Sequence, residues 1–159
     1  MGVLYDYFRA SDDEAVTKLM AATDGGPVVR EGDSPVADAV DGKGIDPPVV
    51  LGKVVSFALD VPWATDLIGE RLIWPDGAGE DPEYEGPWVV VLSERARDAL
   101  AEIPDDRLPG LAERWSHIEE LSHYSDTQPE VMLSRLREFV ELARIARTSG
   151  ESIYCWICL

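Results

Sequence analysis

Residues 151–159 read ESIYCWICL and hold both cysteines of the 159-residue chain. If Cys155-Trp156-Ile157-Cys158 is a redox or metal motif, the segment is a site; if not, it is a strand rich in β-branched and aromatic residues. A redox Cys-x-x-Cys needs a helix N-terminus, whose free amides and dipole lower the pKa of the first thiol. Here only Leu159 follows Cys158, so no helix is expected. Alternating strand geometry sends Cys155 and Cys158 to opposite faces, where they can neither pair nor share an ion. The segment is therefore expected to be an inner strand, with both cysteines as small buried apolar residues.

Working outward, a chain of this length fits one domain that buries roughly 68–70% of the surface its unfolded form exposes, without help from a disulfide or a metal. Hydrophobic residues make up 45% and charged residues 28%, the balance of an ordinary globular protein. MGVLYDYFRA, residues 1–10, has no basic region before an apolar core, and no run approaches the ~20 apolar residues of a membrane span. Asp6 and Trp156 stand where a myristoylation or prenylation signal needs Ser/Thr and Cys. A cytoplasmic protein without membrane contact is expected. The net charge is −17, and residues 61–110 alone carry 12 acids against 4 bases. That field repels phosphate backbones, so direct nucleic-acid binding is not expected, whereas a basic protein partner is compatible with it.

Along the chain, two stretches rich in Gly, Pro and acids, 24–46 and 74–87, read as surface loops within the single domain. Strands are expected near 3–8, 88–92 and 152–158. Ser11 with Glu14, and Thr127 with Glu130, have the spacing of capping boxes for helices ending near Thr23 and at 149, where Gly150 fits a left-handed C-cap. Asp46-Pro47 starts an apolar helix, with a strand as the alternative because of its four valines. Asp60 and Pro62 suggest a short helix carrying Trp63 and Leu67 inward, and Ser93 caps one that Pro104 ends. The stripe Leu108, Leu111, Ala112, Trp115, Ile118 marks another. The fold expected is α+β, a small sheet covered by about five to six helices.

The MGVLYDYFRA opening with its capped helix, DGKGIDPPVVLGKVVSFAL, VVVLSERARDAL and LREFVELARIARTSGESIYCWICL together resemble the YfbM-like family of bacterial proteins of unknown function. The resemblance covers most of the chain in outline. It implies an α+β fold and carries no functional residues over. The Trp- and Cys-rich tail departs from the family pattern.

Few residues suggest chemistry. Glu113, His117 and Glu120, spaced i, i+4, i+7, would share one helix face and form half of a site for a divalent metal, or a carboxylate-oriented general base; a solvated face is the plainer account. His117, His123, Cys155 and Cys158 make a Cys₂His₂ inventory, but in an order and spacing that do not fit a zinc site, and neither metal nor cofactor is expected. Ser93, Ser116 and Ser122 lack a nucleophile elbow, and residues 38–46 lack calcium-loop spacing. Trp63, Trp88, Trp115 and Trp156 are expected to be buried, and Trp74 exposed as a binding anchor beside Asp76, Glu80, Asp81, Glu83 and Glu85. The expected function is a protein-interaction domain using this acidic, aromatic surface. A small metal-assisted enzyme built on Glu113, His117 and Glu120 is the alternative.

Overall fold

Ser152–Cys158 is a strand, and it lies at the centre of the sheet. In a computed structural model describing residues 2–159, five antiparallel strands pair in the order β2-β1-β5-β4-β3. They are β1 (Leu4–Ala10), β2 (Val40–Asp41), β3 (Arg71–Trp74), β4 (Trp88–Val91) and β5 (Ser152–Cys158). Five α-helices accompany them among the described residues: α1 (Asp13–Thr23), α2 (Gly52–Leu59), α3 (Glu94–Ala101), α4 (Leu108–Ser116) and α5 (Pro129–Thr148). The fold is α+β. No described helix is long and apolar enough to cross a membrane.

Strand alternation divides the core in two. Tyr7, Val90, Ile153 and Cys155 face the larger cluster, where α2 to α5 supply Val54, Leu100, Trp115, Leu136 and Phe139. Phe8, Val89, Tyr154 and Trp156 face the smaller one, closed by Val16 and Met20 of α1 and by Val28 of the loop that follows it. Trp115 is fully buried and spends its indole N–H on the carbonyl of Val50, 2.8 Å away. Tyr7 reaches the same segment from the sheet, donating its hydroxyl to the Ile45 carbonyl at 2.7 Å.

Several local expectations shift. The cap of α1 is Asp12, whose carboxylate accepts from the Ala15 amide, rather than Ser11. Thr127 turns back to the Tyr124 carbonyl, and Gln128 precedes α5 without a side-chain cap. Asp46 caps as expected, accepting from the Val49 amide at 2.9 Å, but a wide π-turn at Pro47–Leu51 precedes α2. No helix forms at 60–69: Asp60 is the left-handed C-cap of α2, with φ 55°, so it ends one helix instead of starting the next. Trp63 consequently lies outside the core, 37% exposed, its indole N–H on the Pro48 carbonyl. Gly150 takes the expected left-handed conformation after α5, and the Glu151 amide returns to the Ala146 carbonyl.

The long loop 24–46 is pinned from below by one carboxylate. Asp6, 6% exposed in β1, accepts from the Val28 and Val29 amides through one oxygen, at 3.0 and 2.9 Å. Burial raises the Asp6 pKa above the ordinary range, against the opposing pull of those two amides. A raised folded-state pKa means that the ionised form opposes folding: the group's contribution is present below the unfolded pKa of about 3.9 and is lost as pH rises through the folded value. Asp6→Ala, which orphans both amides, is expected to cost about 1–3 kcal/mol in chemical denaturation. Asp6→Asn keeps an acceptor and removes the charge, so it should lose less than Asp6→Ala, and its standing against wild type should improve from pH 4 to pH 7. An Asp6→Ala protein as stable as wild type would show that the loop is held by other contacts.

Candidate functional site

The connection from β3 to β4 carries the acidic segment out from the sheet edge. Asp76, Glu80, Asp81, Glu83 and Glu85 are all exposed, and none has an ion-pair partner among the described residues. The loop is nonetheless built. Asp81 accepts from the Glu83 amide at 3.0 Å, and the Tyr84 hydroxyl donates to the Pro87 carbonyl at 2.8 Å. The Tyr84 ring meets Trp88 edge-on, with centroids 5.8 Å apart. Gly86 has φ 94°, and a Cβ there would sit 2.7 Å from the Trp88 ring, so only glycine lets the indole lie across the turn.

The aromatic part of the expectation changes. Trp74 is half-buried rather than an exposed anchor: its ring packs against the smaller core cluster and lies 3.0 Å from where a Cβ on Gly25 would be. Trp88 is half-buried rather than buried. The exposed apolar side chain on this edge is Leu72, 38% accessible on β3, which pattern reading missed because Arg71–Trp74 is short and bulged between Leu72 and Trp74.

Glu113, His117 and Glu120 do not share a helix face. Helix α4 ends at Ser116, His117 is its C-cap with φ −101°, and Glu120 belongs to a separate 3₁₀ turn, Glu119–Leu121. The His117 ring nitrogen Nδ1 lies 2.7 Å from the Glu113 backbone carbonyl, not from a carboxylate. Glu120 pairs with Lys53 of α2, whose ammonium holds the carboxyl below its usual range. No group of three or more His, Cys, Asp or Glu side chains is placed to hold a metal ion among the described residues.

Cys155 and Cys158 do face opposite ways, packing against the larger and the smaller cluster respectively. Cys155 is fully buried, and burial pushes its thiol well up; Cys158 is only half-buried, contrary to expectation, because it ends β5 beside the sheet's open end. No protein-family model, curated protein or solved structure matches the chain, so function has to be read from its own geometry. The thiols give a direct check on that geometry. One equivalent of a thiol reagent should react with the native protein and a second only on denaturation. Cys158→Ser should abolish the native reaction and Cys155→Ser leave it; the reverse pattern would place β5 in the wrong register.

Proposed function

We propose that the protein acts by binding, docking a basic protein surface on the hairpin segment 74–87. The observation that carries this reading is the set of five exposed acids, free of ion-pair partners among the described residues, on a loop held by its own hydrogen bonds and by the Tyr84–Trp88 contact. Five acids within residues 76–85, with no Lys or Arg among them, repel one another and weaken the fold rather than support it. A field of that sign accelerates the approach of a cationic surface, and Leu72 on the adjoining strand offers apolar contact that salt does not screen. The metal-assisted alternative lacks comparable support: Glu120 is engaged by Lys53 and His117 faces a backbone carbonyl.

The test replaces the five acids together, Asp76→Asn, Glu80→Gln, Asp81→Asn, Glu83→Gln and Glu85→Gln. The side-chain amide introduced by Asp81→Asn keeps an acceptor oxygen for the backbone N–H of Glu83, so the loop should hold its shape. Immobilised wild type and variant are each presented with host extract, and association with the captured protein is followed at several salt concentrations. Wild type should retain a protein of high isoelectric point; the variant should bind it on the order of tenfold more slowly at low salt, with a flatter salt dependence and a melting temperature no lower than that of wild type. Equal binding at low salt would refute the hairpin as the contact surface.

A further inference from the structure

β3 forms one edge of the sheet and is hydrogen-bonded on one side only, to β4. In an antiparallel ladder successive residues turn their N–H and C=O alternately toward the two neighbouring strands. The Leu92 amide, on the Ile153 carbonyl at 2.9 Å, fixes that alternation: Leu92 and Val90 point their backbone groups at β5, Val91 and Val89 at β3. Leu72 stands opposite Val90, so its own N–H and C=O point away from β4, to the open edge. Glu70, two residues back, faces the edge by the same alternation. No other backbone segment takes the N–H or C=O of either residue among the described residues.

The side chains give this edge its sign. Leu72, 38% exposed, lies on the sheet face of Val90 and Cys155. Arg71 lies on the other face, its guanidinium 3.2 Å from the Asp13 carboxylate. The 3₁₀ turn Ala78–Glu80 returns to Leu72, since a Cβ on Gly79 would stand 3.4 Å from Leu72 Cδ2. Unpaired backbone groups, an apolar side chain and the acidic segment are thus side by side. A second copy would bring the same acids against these, and a net charge of −17 against its equal, so pairing of the edge with itself is opposed. The bulge between Leu72 and Trp74 ends the open register, so an added strand makes few backbone bonds and needs charge for the rest of its affinity.

We propose that the partner adds an extended basic segment to the edge of β3, its backbone bonding the Leu72 N–H and C=O, an apolar side chain resting on Leu72, and flanking lysines or arginines facing Glu70 and the hairpin acids. This rests on the hairpin reading and specifies how the partner is held: backbone bonds set the register, and charge sets the rate of arrival.

The probe is a short end-blocked peptide of alternating lysine and valine, titrated into the ¹⁵N-labelled full chain with hydrogen exchange followed in the complex. The control is the same peptide N-methylated at every internal amide, which keeps the charge and side chains but has no backbone N–H to donate. The parent peptide should slow exchange of the Leu72 amide at saturation, and methylation should weaken binding by about tenfold. Leu72→Pro should weaken the parent peptide by about tenfold as well, and the N–H it removes belongs to no ladder bond, so the sheet keeps its pairing. If that variant fails to fold, the methylated peptide decides. The variant with all five hairpin acids replaced should bind the parent peptide more weakly at low salt yet still show slowed Leu72 exchange at saturation. Equal affinity for the methylated peptide, or Leu72 exchange as fast in the complex as in the free protein, overturns the strand addition, while loss of affinity in the five-acid variant would still uphold the hairpin. Unchanged affinity in that variant refutes the hairpin, and slowed Leu72 exchange then upholds strand addition alone. No binding of the parent peptide overturns the proposal, and so does a free protein that sediments as a dimer with its Leu72 amide already slow, which assigns the edge to a second copy.

Discussion

The pairing of β5 with both of its neighbours is the constraint from which the rest of the structure follows. β5 runs antiparallel to β1 from Leu4↔Cys158 to Ala10↔Ser152, and to β4 from Trp88↔Ile157 to Val91↔Tyr154. Without it the sheet falls into two ribbons, β2-β1 and β4-β3, and isolated two-stranded ribbons are at best marginally stable in water. Its side chains also tie the two halves of the core: Cys155 and Ile153 enter the helix-covered cluster, Tyr154 and Trp156 the opposite one. A one-residue slip would exchange these sets and put the Tyr154 and Trp156 polar groups, now bonded to Asp13 and to the Gly25 carbonyl, among aliphatic side chains. The register is thus fixed by polar satisfaction as much as by apolar burial.

What β5 does for the strands, a handful of buried donors and acceptors does for the segments without regular structure. Residues 24–46 supply little strand of their own beyond β2, yet Asp6 takes two of their amides and Ser34 donates to the Val28 carbonyl. At the entry to α2, the Tyr7 hydroxyl and the Trp115 indole bond carbonyls at 45 and 50 from opposite sides. Each costs about 1–3 kcal/mol if its partner is removed, comparable to the loss of a core methyl pair. The turn they hold includes Gly44 and Asp46, so the surface where Tyr124 packs on Gly44 is shaped by bonds made deep in the core.

The three main strands, the α+β class and the helix starts at Asp46 and Ser93 were legible because each rests on local chemistry: β-branched runs, a Pro at a helix's first turn, a hydroxyl cap. The misreadings share a different cause. Asp60 is equally plausible as a helix N-cap or as a left-handed C-cap, and only the packing of α2 decides between them. Glu113, His117 and Glu120 have helical spacing, but the helix stops at Ser116, a fact set by the turn toward Ile118 and Leu121 in the core. β3 is an edge strand paired on one side with a bulge, so its four residues show no alternation. Exposure of the five hairpin acids followed from composition; the half-burial of Trp74 did not, since it depends on Gly25, far away in sequence.

Register also places the root of the acidic hairpin relative to β1. Tyr5, Ile157 and Trp88 are cross-strand partners in one row, and paired residues share a face of the sheet. Tyr5 and Trp88, at the root of the acidic hairpin, are therefore separated by two strand spacings, about 10 Å, at the same end of the sheet. Ile157, half-buried, lies between them.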